Sequence, residues 1–477
     1  MTASRVGLFL GPILFALTAF TAPPASMAVE AWLVAGLVLW MAVWWMSEAV
    51  PLAATALLPF ALLPLAGVMN AKETASAYYA PILFLLLGGA FIALAIERTG
   101  LHRRLSLAIL KAIGSSGGQA RLLLAFMISA AVLSMLISNT STTLIMMPMA
   151  LAVLSGGAVK GTLGTPDLET EGLSGALPMG IAFAASIGGL GTIVGSPTNG
   201  IAVQLLDDMI GLEISFATWM AFGLPIVLLG VPLAAFIISK VQKVAATPFD
   251  VAAARAAIED EAPWSTPQKR VAMIIAITFA LWMSRRWITP YLPEGSWTDG
   301  TIAVVASLAL FAFPDGDGRR LLDWKEADRA PWGVILMFGG GLALAAGMQA
   351  SGLAQWLGDA LLLLEAVPLI LMTLAIVAMV VLVTEFASNV ATASAIIPVV
   401  ASLAAGLGLG ENAILVAMPA ALAASWGFIL PAGTGPNAIA WATGRLTIRR
   451  LMSAGLVLDL VGIFLIVGVV WAIATIS

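Results

Sequence analysis

Residues 134–148 read Ser-Met-Leu-Ile-Ser-Asn-Thr-Ser-Thr-Thr-Leu-Ile-Met-Met-Pro, in the middle of a 38-residue run, Leu122 to Val159, that contains no charged residue. Two helical legs of ~16 residues would each be ~25 Å long, short of the ~30 Å hydrocarbon core of a bilayer. The run therefore predicts a helical hairpin that enters the membrane and turns back, with Ser138-Asn139-Thr140 at its tip. Polar groups at that depth are tolerated where they line a cavity or a binding site. The alternative is one kinked span whose hydroxyls bond to their own helix.

The composition predicts an integral membrane protein with many helices, because 61% of the residues are hydrophobic and 10% are charged. The sequence has no cysteine, which excludes a disulfide framework and thiolate chemistry, and one histidine, His102, beside Arg103 and Arg104. A membrane-embedded enzyme would need titratable groups or metal ligands that converge inside the membrane. We therefore expect no enzymatic activity, and no basic domain suggests a nucleic-acid partner.

Apolar runs divide the chain into two halves. We expect scaffold helices over 1–69, the rest of a first repeat over 70–240, a cytoplasmic linker over 241–269 and a second repeat over 270–477. The first repeat would contain a hairpin at 120–158 and a broken helix at 178–206, and the second a hairpin at 367–405 and a broken helix at 413–440. Within 1–69 the runs predict spans at about 5–22, 30–47 and 50–69.

The two halves share three motifs in one order, which indicates an internal duplication. Gly88-Gly89 with Thr99-Gly100-Leu101 matches Gly340-Gly341 with Ser351-Gly352-Leu353, Ser138-Asn139-Thr140 matches Ser388-Asn389-Val390, and Gly195-Ser196-Pro197-Thr198-Asn199 matches Gly433-Thr434-Gly435-Pro436-Asn437. Each match alone would be weak.

The distribution of Lys and Arg predicts the orientation of the halves. With Arg5 inside, most basic residues fall on the cytoplasmic side only if the first hairpin enters from the cytoplasm and the second from outside. The repeats would then have opposite topology, with the N-terminus cytoplasmic and the C-terminus outside, in a bacterial-type inner membrane. Inverted repeats with broken helices near the midplane are typical of secondary transporters, whereas a channel is the less favoured alternative.

The tips and breaks offer hydroxyls, amides, free carbonyls and free backbone N–H groups, but no fixed positive charge. Carbonyl, hydroxyl and amide oxygens suit a small cation such as Na⁺, and half-helix N-termini suit a carboxylate or sulfate oxygen. Bound cations could supply the charge that neutralises a dianion in a low-dielectric layer. If the anion binds well only beside occupied cation sites, a sodium gradient can drive its uptake.

These motifs resemble the divalent-anion/sodium symporter (DASS) family of di- and tricarboxylate and sulfate transporters. The resemblance rests on the two tips, on Ser186 to Pro197, on Thr384-Glu385-Phe386-Ala387-Ser388-Asn389, and on the segments around Trp44-Trp45 and Trp332-Gly333. It implies an all-α polytopic fold of about 11 transmembrane helices plus two re-entrant hairpins in two inverted repeats. It also implies a homodimer, and an elevator movement of a transport domain against a scaffold.

The resemblance also implies the site residues. Sodium site 1 would use Ser134, Ser138, Asn139 and Gly195, and sodium site 2 would use Thr384, Ala387, Asn389 and Gly433. The substrate would contact Ser138, Asn139, Thr140, Ser196, Pro197, Ser388, Asn389, Val390, Thr434 and Gly435. Many relatives have Thr in place of Val390 and Pro in place of Gly435, which puts the anion preference in question. Glu385 either stabilises the second hairpin or helps to attract a cation or relay a proton.

The leading hypothesis is an elevator-type transporter that couples C4-dicarboxylates (the succinate, malate and fumarate class) to Na⁺ as coupling ion. Three alternatives keep the fold: a sodium-independent dicarboxylate exchanger, a sulfate transporter and a tricarboxylate transporter. The expected partners are a small dianion, sodium ions, the lipid bilayer and a second copy of the chain.

Overall fold

The computed structural model describes residues 3–24, 26–114, 117–157, 170–256, 263–362 and 365–475. These residues form helices joined by short loops, with one isolated β-bridge between Pro314 and Arg320. Ten of their helices are long and apolar enough to cross a membrane. The chain is therefore an all-α, multi-pass membrane protein, as the composition predicts.

The first half contains twelve of the described helices. They are α1 (Ala3–Phe20), α2 (Val29–Ser47), α3 (Leu52–Thr55), α4 (Leu58–Leu65), α5 (Ala71–Ala77), α6 (Ile82–Thr99), α7 (Leu101–Gly114), α8 (Gln119–Ser134), α9 (Asn139–Gly156), α10 (Gly172–Gly189), α11 (Pro197–Ile210) and α12 (Phe216–Val241).

The second half follows a short helix in the linker, α13 (Val251–Ala256). Its helices in the described residues are α14 (Thr266–Ile288), α15 (Asp299–Ala312), α16 (Trp324–Ala327), α17 (Trp332–Ala350), α18 (Leu353–Leu361), α19 (Leu369–Phe386), α20 (Asn389–Gly406), α21 (Ile414–Ala423), α22 (Gly435–Ala442) and α23 (Ile448–Ala474). Single 3₁₀ turns lie at Ile193–Gly195, Thr289–Tyr291 and Gly410–Ala413. Residues 257–262 of the predicted linker and residue 158 of the first predicted hairpin lie outside the described residues.

The span predicted at 50–69 is two short helices, α3 and α4, and this is a correction to the sequence interpretation. Glu48 ends α2 with a φ of 47°, in the left-handed region. Pro51 then precedes α3 and Pro59 lies in the first turn of α4. Proline is tolerated at a helix start but cannot donate an N–H within a continuous helix, so each one begins a new segment.

A serine cap sets the tip of each hairpin. Ser138 Oγ accepts a hydrogen bond from Ser141 N at 3.2 Å, and Ser388 Oγ accepts one from Ala391 N at 3.2 Å. A capping side chain satisfies one of the N–H groups that have no partner inside their own helix. The second legs, α9 and α20, therefore both begin at the asparagine that follows the serine.

The helix α10 lies at the centre of the bundle, because 94% of its membrane-length window is buried. A Cβ atom on Gly188 would lie 2.4 Å from the carbonyl oxygen of Ala131 in α8, so the two backbones are in direct contact. Small residues permit this kind of close helix approach in membranes. The contact holds the first hairpin tip against the point where α10 ends.

Candidate functional site

A cavity of about 500 Å³ separates the two hairpin tips. Twelve of the residues singled out in the sequence line it: Ser138, Asn139, Thr140, Gly195, Ser196, Pro197, Ser388, Asn389, Val390, Gly433, Thr434 and Gly435. The other three, Ser134, Thr384 and Ala387, are buried and do not line the cavity. The fold therefore brings the tips and breaks of both halves to one place, at a volume typical of a small-molecule site.

The first tip carries a cluster of oxygen atoms around the side-chain amide of Asn139. One amide atom of Asn139 lies 2.6 Å from Ser134 Oγ, 3.1 Å from the Ala185 carbonyl oxygen and 3.3 Å from the Gly195 carbonyl oxygen. If this atom is the nitrogen, it donates to its neighbours. If it is the oxygen, several acceptors face one another, and a cation among them would remove the repulsion.

This set of neutral oxygen donors fits sodium. Hydroxyl, amide and carbonyl oxygens are hard ligands and suit a hard cation rather than a metal that prefers nitrogen or sulfur. Asn139 can present either face of its amide, because rotation about its last bond exchanges the two atoms. Ser134, Asn139, Ala185 and Gly195 would hold the ion.

The second tip repeats the first in its local chemistry. Thr384 Oγ1 donates to Asn389 Oδ1 at 2.9 Å and lies 2.7 Å from the Ala424 carbonyl oxygen. The hydroxyl precedes the asparagine by five residues in both halves, as Ser134 precedes Asn139. Ala424 directly follows α21, and Gly433 lies two residues before α22, so the same types of oxygen are available at the second site.

Asn199 and Asn437, the last residues of the two matched break motifs, hold the breaks in place. Asn199 Nδ2 donates to the carbonyl oxygens of Gly189 (2.7 Å) and Thr192 (2.8 Å), and Asn437 Nδ2 donates to that of Leu430 at 3.1 Å. Backbone carbonyls left without helical partners must be satisfied inside a membrane. Each asparagine does this from the first turn of the helix that follows its break.

The two halves touch at Thr140 and Gly435. A Cβ atom on Gly435 would lie 2.5 Å from Thr140 Oγ1, closer than van der Waals contact allows. Both residues are exposed to the cavity. Glycine at this position therefore leaves room for the Thr140 hydroxyl beside the N-terminus of α22.

Glu385 stabilises the second break. Its two carboxylate oxygens accept hydrogen bonds from Ile429 N and Leu430 N, each at 2.9 Å, and the side chain is 3% exposed. These bonds satisfy backbone N–H groups of the unwound segment and attach that segment to the second hairpin. They are the structural role considered for Glu385 from the sequence. The sequence pattern left this role open because the donors lie more than 40 residues along the chain.

An ion pair lies at one end of the cavity. Arg329 Nη2 donates to Glu97 Oε1 at 2.8 Å, and both residues line the cavity. Glu97 is in the last turn of α6, on the side that the basic residues predict to be cytoplasmic. The cavity therefore extends from the tips towards that side, and its charged residues lie at this end and not at the tips.

Sequence reasoning missed the backbone carbonyls of Ala185 and Ala424 as well as the two asparagines of the breaks. A carbonyl has no side-chain signature, so no residue type could have indicated Ala185 or Ala424. The asparagines did carry a signal, since both occupy the last position of the matched break motif.

Comparisons with known proteins agree with this architecture. The family model described as "Sodium:sulfate symporter transmembrane region" matches residues 3–476. The chain is 38% identical over 481 residues to the sodium-dependent dicarboxylate transporter SdcS of Staphylococcus saprophyticus, covering 98% of this chain and 90% of that protein. It is 37% identical over 473 residues to SdcS of a bovine strain of Staphylococcus aureus, with 98% and 90% covered.

A solved structure shares the fold at low sequence identity. The crystal structure of the YdaH transporter of Alcanivorax borkumensis, which its title describes as having an unusual topology, superposes with a TM-score of 0.53 at 13% identity, covering 100% of this chain and 98% of that one. The match of the family model to nearly the whole chain, together with relatives of this similarity, identifies the protein as a transporter rather than an enzyme. The chain belongs to the divalent-anion/sodium symporter family.

Proposed function

We propose that the protein moves C4-dicarboxylates of the succinate, malate and fumarate class across the inner membrane, coupled to Na⁺, by an elevator movement. The observation that carries the proposal is the pair of matched oxygen clusters, Ser134 with Asn139 and Thr384 with Asn389, at the two tips that face one cavity. A dianion needs positive charge nearby in a low-dielectric site. Two bound sodium ions would supply this positive charge, because the tips have no Lys or Arg.

The names of the relatives support the same substrate and ion. Both Staphylococcus proteins are called sodium-dependent dicarboxylate transporters, and they are 38% and 37% identical to this chain over the aligned residues. The half-helices α11 and α22 begin beside the cavity, at Pro197 and Gly435, and a helix N-terminus suits carboxylate oxygens. The substrate would therefore lie between the two sodium sites.

Orientation and assembly follow from the same proposal. The N-terminus would be cytoplasmic and the C-terminus outside, and two copies would form a homodimer that holds the scaffold helices still. The cavity would then be open towards the cytoplasm, because it reaches the Glu97–Arg329 pair. The elevator step would carry the hairpins and broken helices across the membrane as one body.

Uptake of labelled succinate into proteoliposomes tests the function. Empty vesicles in an inward sodium gradient are compared with sodium-free vesicles preloaded with dicarboxylate. We expect accumulation above equilibrium in the empty vesicles, lost when sodium is replaced by choline. Uptake restricted to preloaded, sodium-free vesicles would contradict the proposal and identify an exchanger. Competition by sulfate or citrate that exceeds competition by malate would contradict the C4 assignment.

Val390 offers a test of the substrate side of the site. It lines the cavity at the position next to Asn389, whereas the matching position of the first tip carries the hydroxyl of Thr140. In Val390→Thr we expect a changed ratio of succinate to sulfate inhibition, because one added hydroxyl contributes about 0.5–1.5 kcal/mol to an anion it contacts. An unchanged ratio would remove Val390 from the substrate contacts.

A further inference from the structure

Asp459 is a buried acid in the middle of the last span. It lies eleven residues after the first residue of α23, about 16 Å along the helix, and is 3% exposed. Within the described residues its carboxylate oxygens have no side-chain hydrogen-bond donor, and the polar group beside them is the backbone N–H of Phe428. A buried acid with a single backbone N–H beside it is costly if it is ionised, so its surroundings decide what it does.

The face of α23 that carries Asp459 packs on the second break. A Cβ atom on Gly455 would lie 2.3 Å from the Phe428 carbonyl oxygen, and one on Gly462 would lie 1.9 Å from Trp426 Nε1. Residues 455, 459 and 462 share one helix face. Asp459 is therefore directed at the segment 426–430, between two glycines that let the helix approach it closely.

The ionisable group that Asp459 meets there is another acid. Glu385 interacts with Asp459, while its own two oxygens already accept from the backbone of Ile429 and Leu430. Two carboxylates in contact have no hydrogen to share unless one of them carries a proton. A neutral Asp459 can donate its O–H to Glu385, whereas a charged Asp459 would repel it.

The other elements packed on α23 place no cation beside this pair. The helix α19 contributes Glu385 alone, and α21 and the segment 424–434 contain no ionisable residue. The helix α12 has one ionisable residue, Lys240. It lies at the end of α12 near Gln242, which accepts a hydrogen bond from Arg450 at the start of α23. Arg450 precedes Asp459 by nine residues, about 13 Å along the helix. No cation would therefore compensate the charge of an ionised Asp459.

We propose that Asp459 is a proton-binding site inside the membrane, a neutral carboxylic acid whose O–H donates to Glu385 and so positions the second break. Glu385 fixes the backbone at 429 and 430 and directly follows Thr384 of the second oxygen cluster. The bound proton thus acts on the second sodium site through the hydrogen bond from Asp459 to Glu385 and the hydrogen bonds that Glu385 accepts from the second break. Asp459 is a positioning residue and touches neither substrate nor sodium. The protonation of Asp459 does not depend on the proposed function, whereas the effect of the proton on sodium binding rests on it.

Infrared spectroscopy of the purified protein in lipid tests the proton directly. We expect the carbonyl-stretch band of a buried protonated carboxylic acid at neutral pH, with and without sodium, and its loss in Asp459→Asn. Asp299→Asn is the matched control, because Asp299 is also buried but is paired with Arg285 at 3.0 Å. The band should persist in that variant. Its absence from the wild type, its persistence in Asp459→Asn, or its appearance only without sodium would overturn the proposal.

Sodium-dependent uptake separates positioning from packing. The amide of Asp459→Asn still donates to Glu385, so the sodium concentration for half-maximal uptake should stay near the wild-type value. Asp459→Leu has no donor, and this concentration should rise about tenfold. A folded Asp459→Asn as defective as Asp459→Leu would contradict the donor role. Should the wild type carry no dicarboxylate, the infrared result still decides the protonation of Asp459.

Discussion

Individual side chains at the tips do more than line the cavity, because each asparagine organises a cluster of oxygens from different parts of the chain. Asn139 joins its own hairpin to α10 through Ala185, and Asn389 contacts the Thr384 hydroxyl, which lies 2.7 Å from the Ala424 carbonyl oxygen after α21. An amide is suited to this position because its oxygen can bind a cation and its nitrogen can donate when no cation is present. A carboxylate could not alternate in this way without a proton.

Removing either amide should weaken sodium binding. In Asn139→Ala and Asn389→Ala we expect the sodium concentration for half-maximal succinate uptake to rise roughly tenfold to a hundredfold, since one lost bond to a charged partner costs about 1.5–3 kcal/mol. Uptake measured over a series of sodium concentrations gives this value. Asn70→Ala is the matched control, because Asn70 caps α5 away from the cavity. Normal sodium dependence in both tip variants would refute the assignment of the clusters.

Gly435 should be sensitive to a single methyl group. In Gly435→Ala the new Cβ would lie 2.5 Å from Thr140 Oγ1 and displace the hydroxyl. Overpacking of this kind costs about 1–3 kcal/mol, so we expect the KM for succinate to rise about tenfold. Thr140→Ala removes the atom that collides. If the contact is the cause, adding Gly435→Ala to Thr140→Ala should change KM little, and additive effects would show that Gly435 acts elsewhere.

At the scale of helices, the sequence predicted most clearly what depends on short-range pattern. The hairpin tips follow from Ser138 and Ser388, because each serine caps a helix by accepting from a backbone N–H only three residues along the chain. The division of 50–69 into two helices depends on where Pro51 and Pro59 fall, and hydropathy alone does not register it. The partner of Glu385 could not be foreseen, since its donors belong to a distant unwound segment.

An ion pair joins the N-terminal ends of α10 and α23, and its acid, Glu171, lies just before α10. Arg450 donates to Glu171, and this hydrogen bond is the main reason that the pKa of Glu171 lies below its ordinary value. Lys243, at 3.4 Å, acts in the same direction. A carboxyl with a lowered folded-state pKa stabilises the fold above its unfolded pKa, and this contribution is lost as the pH falls through the folded value.

Glu171→Gln should therefore lower stability at neutral pH and not in acid. We expect Tm to fall by about 1–3 °C at neutral pH, with the difference from wild type vanishing once the pH is below the lowered pKa of Glu171. Thermal unfolding of the detergent-solubilised protein over a pH series measures this. Glu294→Gln, at an exposed loop residue, should show no such trend. A difference that grows in acid would have the wrong sign and would refute the linkage.

For the molecule as a whole, the elevator proposal divides the helices into two bodies. The hairpins, the broken helices, α12 and α23 would move, and the helices that include α6 and α17 would stay. Contacts between the bodies must then break in each transport cycle, whereas contacts within a body must persist. The interface between Gly200 of α11 and Leu86 of α6 belongs to the first kind, and that between Gly180 of α10 and Met127 of α8 to the second.

The natural sequence has no cysteine, so paired cysteines can test this division without background. A Cβ on Gly200 would lie 3.3 Å from Leu86 Cγ, and one on Gly180 would lie 3.0 Å from Met127 Cγ, so the side chains of each pair would be in direct contact, as cross-linking requires. Oxidised Leu86→Cys/Gly200→Cys should lose succinate uptake and regain it with reductant, because the two bodies are then locked together. Oxidised Met127→Cys/Gly180→Cys should transport as well as its reduced form. Full uptake by the cross-linked Leu86–Gly200 pair would exclude a movement of α11 past α6, and with it the elevator division proposed for this chain.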